Sequence, residues 1–179
     1  MVLRLTPLPC KPPLTALKAA IFAILLLLSF TCNDASPKAD GPCTVYVPQP
    51  TSSWTLMVYM AADNNLESQF PSDIEEMKNG FIDGQGVQLI VLIDRVKGYS
   101  ADDTAFGADF SGIRLYRIGY GSAERICGGT EFPELSDGTD FEMDSGNPIV
   151  LKKFLQFCKT TFPAQRYLGT TPLERAALS

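Results

Sequence analysis

The sequence contains no histidine among its 179 residues. Imidazole is the usual base that activates a cysteine or serine nucleophile, and it is a common zinc ligand. Catalysis by a Cys–His or Ser–His pair is therefore excluded for the residues of this chain. The sequence also lacks a Cys-x-x-Cys pair, so we identify no metal ligands of the zinc type.

Positive charge is also scarce. Fifteen Lys and Arg residues stand against 20 Asp and Glu residues, which gives a net charge of −5. No basic field for nucleic-acid binding is expected from this balance. A hydrophobic content of 45% with 20% charged residues is typical of a globular chain, and the length allows one domain with one core.

A long hydrophobic run is absent as well. The longest run, Ala19–Leu28, follows Arg4, Lys11 and Lys18. It is shorter than the roughly 20 residues of an ordinary spanning helix, but it suits the apolar segment of a signal peptide. We therefore predict a signal peptide over residues 1–31 and an exported protein.

Cys32 directly follows this segment and is a candidate for lipidation as the first mature residue. The small Thr31 before it fits a lipoprotein signal, whereas Ser29 occupies a place that is usually aliphatic. Simple secretion and an uncleaved anchor are the alternatives. In the lipoprotein and anchor readings, the signal or a lipid attaches the chain to a membrane.

Residues 32–53 are rich in Pro, Ser, Asp and Gly, a composition typical of a linker. Within this segment, Cys43 could form a disulfide after export with either Cys127 or Cys158, and the sequence does not choose between them. Cys158 lies on the apolar stripe of a predicted helix, which favours a buried packing role for its thiol.

The stretch Trp54–Glu67 organises the rest of the chain. Its apolar core, Leu56–Met60, predicts a strand buried on both faces, as in a parallel sheet. A second such strand is predicted over Val87–Asp94. Because the carboxyl ends of parallel strands border the ligand cleft in α/β sheets, three polar residues at these ends are candidate cleft residues: Asp63, Asn64 and Asp94. The alternative is an ordinary strand-to-helix junction.

Helical spacing of apolar residues between these strands predicts one helix, which Pro71 either starts or kinks. Asn147 and Pro148 are typical of a second helix start, as N-cap and first helical residue. A shorter strand is predicted over Ile113–Ile118, with Arg114 and Arg117 pointing outward.

Residues 119–142 show no useful period and are interpreted as a surface excursion. The acidic residues in and after it lack the spacing of a calcium-binding EF-hand loop. A solvated acidic loop is the preferred interpretation; its acids are Asp137, Asp140, Glu142 and Asp144.

Residues 54–167 resemble the clostripain family of cysteine peptidases. The resemblance rests on WTLMVYMAADNNL (54–66), VQLIVLIDR (87–95), SGIRLYRI (111–118) and SGNPIVLKKFLQFCKTTFPAQRY (145–167). It implies an α/β fold, namely part of a caspase-like three-layer α/β/α arrangement with a mainly parallel sheet. It also implies peptide or protein substrates for the intact parent, cleaved after basic residues. Some members depend on calcium, but no ligands are identifiable here and no other cofactor is implied.

The resemblance places the family's catalytic histidine in a Trp-Asp/Asn-His-Gly motif after a third strand and its cysteine on a fourth. Neither residue maps onto this sequence, so we assign no catalytic residue. Residues 168–179 are interpreted as an aberrant tail, and the fold is expected to be truncated before the catalytic strands. The family's first strand lies between its second and third, so the edge of Trp54–Ala62 is expected to be open and prone to aggregation.

Leu168–Thr171 offers an explanation of the tail. These residues can be encoded as CTT-GGG-ACC-ACN, which in another reading frame contains TGG-GAC-CAC, or Trp-Asp-His. The hypothesis is a frameshifted, inactive fragment of a clostripain-like endopeptidase. The alternative is a non-enzymatic exported lipoprotein or binding module, and the sequence carries no expectation about oligomeric state.

We predict that Cys32→Ser releases the protein from membranes or blocks signal processing, because only a thiol can receive the lipid. Membrane fractionation and the mass of the mature N-terminus check this. Cys10→Ser, which lies within the predicted signal, is the control and should change neither. Unchanged partitioning and processing of the Cys32 variant would contradict lipidation.

Overall fold

The structure is a computed structural model that describes residues 42–96, 105–106, 109–136 and 140–170. The predicted signal peptide with Cys32 and the last nine residues of the predicted tail lie outside the described residues. Within the described ranges, no helix has the length and apolar character needed to cross a membrane.

The described residues form one mixed five-stranded sheet, with strand order β4-β3-β2-β1-β5. β1 pairs in parallel with β2 and β5, whereas β3 is antiparallel to both of its neighbours. Four of the five strands therefore run in one direction, which confirms the α/β class and a mostly parallel sheet. The strands are β1 (Ser52–Ala62), β2 (Val87–Arg95), β3 (Gly112–Gly119), β4 (Ser122–Ile126) and β5 (Ala164–Thr170).

Two helices accompany the sheet. A short 3₁₀ turn (Glu67–Gln69) leads into α1 (Phe70–Gly80), where Pro71 lies in the first turn and therefore starts the helix without kinking it. α2 (Pro148–Thr161) begins as predicted, because the Asn147 side chain accepts a 2.9 Å hydrogen bond from the Ile149 backbone N–H.

The sheet separates two hydrophobic clusters. Val58 and Met60 of β1 belong to the cluster that contains Phe70 and Ile74 of α1. The alternate residues, Met57 and Tyr59, belong to the cluster that contains Phe154 and Phe157 of α2. Because successive side chains of a strand point to opposite faces, β1 is buried on both faces, as its apolar run predicts. The helices lie on opposite sides of the sheet.

The predicted open edge of β1 is wrong over most of its length. β5 pairs with β1 from Ser52–Ala164 to Val58–Thr170, and it extends three residues beyond the predicted boundary at Tyr167. The ladder needs backbone groups rather than apolar side chains, and Leu168 is 55% exposed within it. Pro172, which cannot donate a ladder hydrogen bond, comes after the last paired residue, Thr170.

Part of the predicted linker is attached to the sheet, and part of the predicted surface excursion is a strand. Cys43 forms a disulfide with Cys127, and the Thr44 backbone exchanges 2.9 Å hydrogen bonds with Arg125 and Cys127 at the end of β4. Cys158 is buried, as predicted, and it is not the partner of Cys43. Composition alone did not identify the attachment of the linker, because the disulfide and the Thr44 hydrogen bonds join residues about 80 positions apart. The strand within the predicted excursion, β4, pairs with the neighbouring β3.

Arg114 also differs from its prediction. It is only 5% exposed, its guanidinium lies 4.0 Å from the Phe110 ring centroid, and its Nη2 lies 2.5 Å from Asp140 Oδ1. The prediction of an outward side chain assumed one solvated face of β3. That strand instead lies between β2 and β4, and both of its faces are covered.

We predict that the double substitution Cys43→Ser and Cys127→Ser lowers the free energy of unfolding by about 2–4 kcal/mol, because the disulfide restricts the unfolded chain. Urea denaturation measures the change. As a control, a reductant should lower the midpoint of the wild type and leave that of the double variant unchanged. A double variant as stable as the oxidised wild type would contradict the prediction.

Candidate functional site

A cleft lies at the carboxyl edge of β1 and β2. The register pairs Ala61 with Asp94, so the acidic end of β2 lies beside the turn that follows β1. The cleft has a volume of about 510 Å³ and brings the three predicted cleft residues together. Its lining residues are Ala61, Asp63, Asn64, Asp94, Glu142, Met143, Asp144, Ser145 and Gly146.

Asn64 shapes the turn after β1. Its Nδ2 donates a 2.7 Å hydrogen bond to the Ala61 carbonyl, and its Oδ1 accepts a 2.9 Å hydrogen bond from the Leu66 backbone N–H. Such side-chain bonds to nearby backbone are the reason that Asn favours turns. With its oxygen and its nitrogen both engaged, Asn64 holds the exposed Asp63 in place at the rim.

The segment 142–146 forms the opposite wall, and sequence reasoning missed its role. The Tyr59 hydroxyl donates a 2.7 Å hydrogen bond to the Ser145 carbonyl, while the Ser145 hydroxyl and backbone N–H donate to the Asp94 carboxylate. Asp144 Oδ1 accepts a 3.0 Å hydrogen bond from the Gly146 backbone N–H. The acidic residues of this segment are visible in the sequence. Their position opposite the ends of β1 and β2 is visible only in the folded structure.

Asp94 is the buried acid of the cleft, with 1% of its surface exposed. Burial raises the pKa of this carboxyl to about 6; hydrogen bonds from Ser145 oppose the rise, and the charges of Glu142 and Asp63 add to it. Its Oδ1 has no hydrogen-bond partner among the described residues. Oxygen atoms of the Asp63, Asp94 and Glu142 carboxylates lie within 4.8 Å of one another.

A buried ion pair lies next to the cleft in sequence. Arg95, the residue after Asp94, places its Nε 2.5 Å from Glu67 Oε1, and both side chains are fully buried. The Arg95 guanidinium also lies 5.0 Å from the Phe110 ring centroid and 3.3 Å from Asp109 Oδ1. This pair joins the start of α1 to the end of β2, and no local sequence pattern pointed to it.

The described cysteines are not available as nucleophiles. Cys43 and Cys127 are joined in the disulfide. Cys158 is fully buried in the α2 cluster, and burial raises the pKa of its thiol, so the reactive thiolate form is disfavoured. What the cleft offers instead is a set of anionic oxygen atoms suited to binding a cation or a basic group.

Comparisons with known proteins identify similar cysteine peptidases. The sequence profile of the clostripain family (peptidase C11) matches residues 58–169. Clostripain of Hathewaya histolytica is 46% identical over 114 residues, which are 64% of this chain and 22% of clostripain. The chain therefore spans about a fifth of the length of that relative. A solved B. fragilis cysteine protease is similar with a TM-score of 0.47 and 27% identity, covering 66% of this chain and 86% of that one.

We predict that Asp94→Asn raises the free energy of unfolding by about 1–3 kcal/mol near neutral pH, because the substitution removes a buried charge. The measurement is made in a buffer that contains a chelator. The raised pKa means that Asp94 takes up a proton on folding, so the stability of the wild type falls as pH rises from about 4 to 6. The gain of the variant should therefore be largest above pH 6 and disappear towards pH 4. Denaturant titrations across this range measure it.

Glu76→Gln is the control, because Glu76 is an exposed acid on α1 outside the cleft lining. It should change stability by at most about 0.5 kcal/mol. An Asp94→Asn protein less stable than the wild type at every pH would show that the hydrogen bonds from Ser145 outweigh the cost of burying the charge.

Proposed function

The chain belongs to the clostripain family, and we propose that it is the N-terminal part of a clostripain-type cysteine endopeptidase domain that does not cleave peptides by itself. The observation that carries this proposal is the complete absence of histidine. A cysteine peptidase needs a base that activates the thiol and later protonates the leaving amine. The family resemblance implies a histidine as this base, and the chain contains none.

The state of the cysteines supports the same proposal. A nucleophilic thiol must be accessible and partly ionised. Of the described cysteines, two are oxidised to the Cys43–Cys127 disulfide and Cys158 is buried. For the intact parent, we propose peptide or protein substrates cleaved after basic residues, by analogy with the family.

We further propose a caspase-like arrangement of the sheet. Its support is the position of β1 between β2 and β5, with α1 and α2 on opposite faces. In this arrangement β5 corresponds to the beginning of the family's third strand. The family places the histidine motif directly after that strand.

The frameshift is the proposed origin of residues 168–179. The family profile matches through residue 169, and the alternative frame over Leu168–Thr171 reads Trp-Asp-His where that motif is due. The nucleotide sequence of the gene decides this point. Continuous coding in the alternative frame, with the family's cysteine strand downstream, supports the frameshift, and its absence overturns it.

Export is proposed as well, and the Cys43–Cys127 disulfide supports it, because disulfides persist mainly in oxidising compartments. Lipid anchoring through Cys32 stays a prediction.

A non-enzymatic exported module is the second candidate, and it is favoured by one observation: β5 covers the edge of β1 over Ser52–Val58. The described residues therefore pack into two clusters without the catalytic strands.

We predict that the purified chain does not hydrolyse Arg- or Lys-containing peptides, with or without calcium. Fluorogenic peptides measure turnover, and a contaminating protease is excluded by testing the Cys158→Ala variant in parallel. Turnover by the wild type that iodoacetamide abolishes and that Cys158→Ala lacks would contradict the proposal.

A chain that is translated in the alternative frame after Tyr167 is the positive control of this assay. We expect thiol-dependent cleavage after basic residues, and none when the histidine or the cysteine introduced by the restored frame is replaced by alanine. A restored chain that folds and stays inactive would contradict the assignment to an endopeptidase parent.

A further inference from the structure

We propose that the chain forms a two-fold symmetric dimer, in which the outer edge of β5 pairs antiparallel with β5 of a second copy. β5 is the last strand in the order β4-β3-β2-β1-β5. One of its edges pairs with β1, and no strand of the described ranges pairs with the other edge. This pairing involves neither a thiol nor a base, so it holds whether or not the chain cleaves peptides.

β5 lacks most of the features that keep edge strands from pairing. Natural proteins protect such edges with lysine, proline, bulges or very short strands. Ala164–Thr170 contains neither Lys nor Pro, and its register with β1 keeps one offset throughout, so it has no bulge. Five of its seven residues are exposed. The backbone N–H and C=O groups along this edge therefore form a template for another strand.

The opposite edge of the sheet is protected. β4 has only five residues, and Thr44 forms a bridge with Ile126 at its end. The Cys43–Cys127 disulfide fixes the segment that makes this bridge. Because β4 is short and partly covered whereas β5 is longer and open, β5 is the edge that fits a second copy of the chain.

Side-chain charge selects the register of the dimer. Opposite residues of an antiparallel pair share one face of the sheet, so in a symmetric pair one residue lies opposite its own copy on the two-fold axis. Centring on Tyr167 uses all seven residues of β5 and places Arg166 opposite Leu168 of the second copy. Centring on Arg166 would place two guanidinium groups opposite each other, which is destabilising. Centring on Leu168 would shorten the ladder.

The register centred on Tyr167 also covers the exposed leucine of the edge. Leu168 is 55% exposed, and the Arg166 guanidinium beside it lies 5.5 Å from the Trp54 ring centroid. In the dimer, Leu168 of each copy packs against the methylene groups of Arg166 of the other copy. One ladder of this length is smaller than a standard interface, so we expect a Kd of about 1–100 µM.

Sedimentation equilibrium of the full-length chain measures the association. The chain is kept in a mild non-ionic detergent, because it retains the apolar run Ala19–Leu28. We expect a reversible equilibrium of monomer and dimer. Leu168→Arg should weaken it by about tenfold or more, because like charges then lie opposite each other at two symmetric positions. Leu168→Glu removes the same leucine but creates opposite charges there, so its dimer should be about tenfold tighter than that of Leu168→Arg.

A cysteine cross-link tests the register. Tyr167→Cys should form a disulfide between two copies under mild oxidation, because the two Cα atoms lie about 4.5–5.5 Å apart at the axis. Gln165→Cys is the matched control, since its two copies lie on either side of the axis and are separated by about 13 Å along the ladder. Both variants keep the native cysteines. Non-reducing electrophoresis measures the cross-linked fraction, and peptide mass spectrometry identifies the joined residues.

The outcomes are decisive for the edge and for the register. A wild type that stays monomeric up to about 1 mM overturns the proposal, and so does growth into open-ended oligomers. Equal association by Leu168→Arg and Leu168→Glu overturns β5 as the interface. Because Leu168 is exposed, both variants should keep the Tm of the wild-type monomer. Equal cross-linking of Tyr167→Cys and Gln165→Cys overturns the register without depending on either charged variant.

Discussion

The parallel pairing of β1 with β2 is the interaction on which the other features depend. It runs without interruption from Trp54–Val87 to Ala62–Arg95. A slip of one residue would exchange the two faces of a strand, and it would move every β1 side chain into the wrong cluster. The same register brings the end of β2 next to the turn after β1. The core and the acidic cleft are thus consequences of one set of backbone hydrogen bonds.

The buried charges collect where these strands end. Asp94 and Arg95 are consecutive, and along the strand they point to opposite faces. The charge of Arg95 is compensated by Glu67 and by the aromatic rings beside it, whereas the charges that act on Asp94 are those of the acids Glu142 and Asp63. Atoms without a hydrogen-bond partner occur on both sides, since Glu67 Oε2 and both Arg95 Nη atoms have none among the described residues, as is also true of Asp94 Oδ1. A compensated pair is an arrangement typical of structural support. An uncompensated acid in a cleft is an arrangement typical of a binding site.

The described part of this chain contains a scaffold of the clostripain family. Both helices, the cleft and most of the sheet form from residues that match the clostripain profile, which covers residues 58–169. The family resemblance places the nucleophile and the base on other strands. β5 pairs with β1 through its backbone although most of its side chains face outward.

The sequence by itself determined the features that rest on local pattern: β1 and β2 as strands buried on both faces, the N-cap of α2 at Asn147, the buried thiol of Cys158, and the lack of a histidine. It also placed Asp63, Asn64 and Asp94 at one edge, because parallel strands end together. Tertiary structure alone decided the partner of Cys43, the burial of Arg114, the pairing of β5 and the arrival of Glu142 beside Asp94. Each of these depends on contacts between distant segments, and neither periodicity nor composition reports which distant backbone or charge will be the neighbour.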